Sequence, residues 1–138
     1  MSQLDLNALI TRLETAINTA DEKLLNELVD ETAPFYTPVS PDPIYGATGF
    51  LAVVNLMRAS FPDVQWKKEE TIVQDHKSAV RWTCSGTHQH EFMGIPTTGK
   101  RFSIRVMNFY TFNPQGKIIS DIAAEGMIGI VRAIGLLS

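Results

Sequence analysis

Apolar positions recur every three or four residues in stretches of the first sixty residues and every second residue from Val64 onward. Leu6, Leu9, Ile10, Leu13, Ala16 and Ile17 form one helical stripe, with Asp5 ahead of it as an N-cap. Asp21 opens a shorter helix through Leu24, Leu25 and Leu28. The stretch Phe35 to Pro43 carries Pro38, Pro41 and Pro43, which forbids helix and predicts an extended, stiff segment. Helical spacing returns from Gly46 to Ser60 on Phe50, Val53, Val54 and Met57, and Phe61-Pro62-Asp63 stops it.

From Val64 onward the period of two predicts strands over 64–74, 78–91, 101–112 and 117–124. Turn signals separate them at Gln74 to Lys77, Gly94 to Gly99 and Asn113 to Gly116. Helices first and strands afterwards is a segregated α+β pattern, with the helices covering one face of an antiparallel sheet. Met127 to Leu137 is almost wholly apolar and predicts a terminal helix lying over the sheet or against a second subunit.

Composition narrows the classes. A chain of 138 residues makes one domain, 1–138, and 44% hydrophobic with 20% charged residues is globular rather than disordered chemistry. The net charge of −3 argues against a nucleic-acid partner, whose site would be basic. One cysteine, Cys84, excludes an internal disulfide and a cysteine-rich zinc site. With no long apolar run and no basic leader, neither a membrane span nor a secretory signal is expected, and the expected location is cytoplasmic.

The densest polar cluster runs from Arg81 to Glu91. His88 and His90 alternate onto the face of Trp82 and Cys84. A metal pair with Glu91 is weighed and set aside: Glu91 points the other way, and no later histidine completes a ligand set. Asn108 shares a face with Ile104, Val106 and Tyr110, and there either bonds a neighbouring side chain or faces a ligand. Glu125, in the apolar company of Ile122 to Ile128, is a candidate acid/base, because burial raises a carboxyl pKa toward neutrality. Asp121, beside Ser120 and Ile119 near the turn, reads as a surface residue.

The block Arg81-Trp82-Thr83-Cys84-Ser85-Gly86-Thr87-His88, followed by Gly94-Ile95-Pro96-Thr97-Thr98-Gly99-Lys100, resembles the SnoaL-like polyketide cyclase family. Gly46-Ala47-Thr48-Gly49-Phe50, Phe61-Pro62-Asp63, Gly116-Lys117-Ile118 and Ile134-Gly135 extend the resemblance over roughly residues 8–137. It implies the nuclear transport factor 2-like (cystatin-like) fold, a cone whose curved, mostly antiparallel sheet wraps the N-terminal helices around a pocket. It also implies ring closure or isomerisation of a small hydrophobic carbonyl compound by acid/base chemistry, with no metal and no cofactor. The tryptophan and aspartate the family places after the Gly-Lys-Ile turn fall here on Ile122 and Gly126, so the acid/base is absent, displaced to Glu125 or supplied by Asp121. His88, Glu125 and Asp121 are thus the candidate catalytic residues. Tyr36, Trp66, Trp82, Met93, Met107, Asn108, Phe109 and Tyr110 are the candidate ligand-binding residues, in a chain expected to be a homodimer. The alternative is a protein of the same fold that binds an apolar ligand and has lost the acid.

Overall fold

The computed structural model describes residues 5–36, 42–125 and 127–135, together with their side chains except at 124, 125 and 127–129. Helix α1 spans Leu6–Thr19 and buries Leu6, Ile10, Leu13, Ala16 and Ile17, the stripe the spacing predicts. Asp5 caps it, its carboxylate accepting from the Ala8 N–H at 3.1 Å. Asp21 does the same for α2 (Glu22–Leu28), accepting from the Leu24 N–H at 3.0 Å. Helix α3 spans Gly46–Ser60. Gly46 has φ +65°, and a Cβ there would lie 2.8 Å from the Glu31 carbonyl oxygen, so only glycine lets α3 start this close to the α2 loop.

The strands are β1 (Pro34–Tyr36), β2 (Ile44–Tyr45), β3 (Gln65–Gln74), β4 (Lys77–Thr87), β5 (Arg101–Phe112) and β6 (Ile118–Glu125). They form one sheet in the order β2-β1-β6-β5-β4-β3. The sequence reading foresaw four strands. The two it missed are two and three residues long, flanking the proline-rich segment, of which residues 37–41 lie outside the described part. Strand β1 pairs with β6 in parallel, and every other neighbouring pair is antiparallel. The predicted β4 also ends earlier, at Thr87, leaving His90 and Glu91 exposed beyond it.

Helix α1 holds the β3 edge by side chains rather than by another strand. The Asn18 amide donates to the Trp66 carbonyl and accepts from the Trp66 N–H, each at 2.8 Å, and Glu14 accepts from the Lys68 N–H at 2.6 Å. Residues four apart on one helix face thereby occupy backbone groups that an open edge would offer to another chain. Helix α4 (Met127–Ala133) follows β6 directly, and Ile130 and Ile134 are buried in a cluster with Phe61, Phe92 and Phe102. The terminal segment therefore packs over its own sheet, and its described isoleucines are not spare for a second subunit.

Candidate functional site

Strand alternation turns Trp82 and Cys84 of β4, and Ile104, Val106, Asn108 and Tyr110 of β5, toward the helices. Leu13 and Ile17 of α1, Phe50, Val54 and Met57 of α3, and Ile130 of α4 close over them. The space between is a cavity of about 110 Å³, room for a molecule near the size of one six-membered ring; an apolar cavity of ~150 Å³ holds benzene. Its walls are almost wholly hydrocarbon, and among the described lining residues there is no lysine, arginine or histidine.

Asp121 enters this wall because β6 carries a bulge. Thr111 pairs with Ser120 and Phe112 with Ile118, so Ile119 is an extra residue without a partner on β5. Ile118 points inward, Ile119 outward, and the inserted residue reverses the alternation so that Asp121 points inward as well. This corrects the reading of Asp121 as a surface residue: it is 1% exposed. Its Oδ1 accepts from Asn108 Nδ2 at 2.8 Å, and its Oδ2 is buried with no hydrogen-bond partner among the described residues. Burial pushes the carboxyl up to about 8, with the Asn108 hydrogen bond pulling weakly the other way. Near neutral pH the group is mainly a carboxylic acid.

Tyr110 sits opposite Asp121 in the β5–β6 ladder. Burial first, and the Asp121 charge second, hold its phenol well above the usual range, while a hydrogen bond with the Trp82 side chain opposes them. Cys84 is pushed up to about 12 by burial, so it lines the cavity as a thiol and not as a nucleophile. The arrangement gathers Asp121, Asn108, Tyr110 and the two tryptophans, Trp66 and Trp82, around one apolar space.

Several expected site residues stand elsewhere. Met107 and Phe109 alternate with Asn108 and so project from the outer face of the sheet, exposed. Tyr36 is exposed on the same outer face, where its strand partner is Ile122, and Met93 is exposed in the loop after β4. His88 is fully buried but lies in the second apolar cluster beside Phe61, not in the cavity wall. Its Nδ1 accepts from the Thr98 N–H at 3.2 Å and lies 2.9 Å from Thr98 Oγ1, which ties down the loop ahead of β5. Glu125 pairs through its backbone with Val106, and its side chain lies outside the described residues. The helical lining residues were absent from the expected set, although the stripes on α1 and α3 were their signal. Among the described residues no group of three or more His, Cys, Asp or Glu side chains is placed to hold a metal ion, and no helix is long and apolar enough to cross a membrane.

The model of the SnoaL-like polyketide cyclase family matches residues 7–134. The chain belongs to that family. Solved structures agree with this SnoaL-like fold. TsrD from Streptomyces laurentii superimposes with a TM-score of 0.83 at 22% identity, covering 98% of this chain and 100% of the other. IdmH from Streptomyces antibioticus, a proposed polyketide cyclase, gives 0.81 at 25% identity, with 96% and 99% covered. A comparison with curated proteins finds no match. The helices of this SnoaL-like protein pack against one face of its sheet, and the cavity lies between them.

Proposed function

We propose that this SnoaL-like protein moves a proton on a small, neutral, hydrophobic carbonyl compound, in a ring closure or an isomerisation, with Asp121 as acid/base. One observation carries the reading: a carboxyl buried in an apolar cavity with one oxygen tied to Asn108 and the other free of any partner among the described residues. At a pKa of about 8, about a tenth of the molecules hold the carboxylate at pH 7. That form takes a proton from the carbon next to the carbonyl. The resulting acid returns it to the enolate, at carbon or at oxygen, so the residue ends each cycle as it began. Tyr110, kept protonated by its burial, is the donor available to the developing enolate oxygen. Asn108 holds the carboxyl and is a positioning residue. Neutrality of the substrate follows from the lining, because an anion would be desolvated with no cation to face it.

The test is exchange of the α-protons of ethyl acetoacetate in D₂O, followed by proton NMR. Wild type should accelerate exchange above the buffer rate in a saturable way, and Asp121→Asn should return it to that rate. Equal acceleration by both proteins would remove Asp121 from the chemistry. Saturable binding of the ester with no acceleration would favour the second reading, a ligand-binding protein without turnover, to which the nearly unbroken hydrocarbon lining is equally suited.

A further inference from the structure

Cross-strand pairing arranges the sheet side of the cavity in levels. Tyr110 and Asp121 share the first, Asn108 and Ala123 the second, Trp82 and Val106 the third, and Trp66, Cys84 and Ile104 the last. Two residues separate each level from the next, so at ~3.3 Å per residue the wall is about 20 Å long. The carboxyl, the phenol and the amide stand on the first two levels, and beyond them the wall is hydrocarbon, indole and thiol. Burial changes in the same direction. Along β5, Tyr110 and Asn108 are buried, whereas Val106 and Ile104 are half-buried, as are Trp66 on β3 and Val53 on α3. A cavity of about 110 Å³ drawn out along such a wall is narrow. It admits a chain and not two fused rings, since even ~150 Å³ holds only one.

We propose that Val53, Trp66, Ile104 and Val106 form a subsite for an unbranched hydrocarbon tail of the substrate, whose carbonyl end lies at Asp121. The placement of that end rests on the proton-transfer reading above, and the subsite itself rests on the joint gradient of polarity and burial. The tail covers apolar side chains that the fold leaves half-covered, and every methylene laid there leaves water. Hydroxyl or charged groups on the tail would lose their water with only indole and thiol groups on the described wall to meet them. The substrate class is therefore a carbonyl compound with a linear, apolar chain rather than a fused-ring one.

The test is binding of ethyl, butyl and hexyl acetoacetate to the intact protein, read from the fluorescence of Trp66 and Trp82. Affinity should rise about fourfold with each added methylene. Ile104→Thr and Val53→Ser, each checked for folding by circular dichroism, should cut the hexyl-to-ethyl affinity ratio at least about threefold, because both set a hydroxyl beside the tail. The ethyl ester of 1-tetralone-2-carboxylic acid, a β-keto ester on two fused rings, should bind more weakly than hexyl acetoacetate despite its larger carbon count. No gain along the series, an unaltered ratio in a folded variant, or tighter binding of the fused-ring ester overturns the subsite. Proton exchange without a gain in affinity along the series strikes the subsite alone, and a gain without exchange strikes the proton transfer alone.

Discussion

Asn108 Nδ2 donates to Asp121 Oδ1 at 2.8 Å across the β5–β6 ladder, and this one bond distinguishes the two oxygens of the carboxyl. The protonated acid fits the arrangement better than the carboxylate does. One oxygen accepts from the amide while the other, buried with no partner among the described residues, carries the proton. A carboxylate would leave a buried oxygen lone pair with no donor.

A pH dependence of stability follows. The folded-state pKa of Asp121, about 8, lies above its ordinary value of 3.8. Between those values the folded protein holds a proton that the unfolded chain has released, so stability falls as pH rises through the window and levels off above the folded pKa. Asp121→Asn keeps the acceptor for Asn108 and a donor in place of the acid proton, and it does not ionise. Urea unfolding should show the variant close to wild type near pH 3.5 and more stable by several kcal/mol above pH 8. A wild type with no decline across this range would mean that the carboxyl is not buried as described.

Asn108→Leu removes the hydrogen bond that draws the Asp121 pKa down, leaving burial unopposed. The titration of Asp121, read from the carboxyl ¹³C shift of protein labelled at aspartate, should move up from about 8. The unpaired oxygen should lower stability by ~1–3 kcal/mol. The exchange rate constant should fall and its pH profile move the same way, which a purely structural role for the amide would not produce.

The lining predicts selectivity by charge. Acetoacetate and its ethyl ester share the reactive carbon, but the free acid carries an anion into a wall with no described cation. The ester should bind at least tenfold more tightly at pH 7, measured by quenching of Trp66 and Trp82 fluorescence. Equal binding would place a cation in the cavity or the ligand outside it.

Most of the fold was legible because its signals are local. Asp5 and Asp21 mark helix starts by the geometry of their own caps, and the stripe of α1 is one side of a regular helix. Alternation alone also places Asn108 and Tyr110 inside and Phe109 outside, so the sequence contained the correction to its own ligand set. Asp121 was different. Its direction depends on the bulge at Ile119, and a bulge is a property of the pairing between two strands that a period of two within one strand does not reveal. The parallel β1–β6 pair was hidden for the same reason, since three residues beside prolines carry too little pattern to declare a strand.

His88 supplies the last prediction, because the fold gives it a different task from the acid/base role that the sequence suggested. The Thr98 N–H points at Nδ1, so that nitrogen is the acceptor and the ring proton sits on Nε2, buried beside Phe61 without a partner among the described residues. His88→Leu would fill much of the space and leave the Thr98 N–H unpaired. It should lower stability by ~1–3 kcal/mol in urea unfolding. Hydrogen exchange should quicken at Thr98 and Gly99, whose N–H groups bond His88 Nδ1 and the His88 carbonyl. Ester affinity and proton exchange per folded molecule should stay at the wild-type level, since no atom of the ring lines the cavity. A variant that folds normally but has lost exchange would return His88 to the chemistry and require the loop around Thr98 to open onto the cavity.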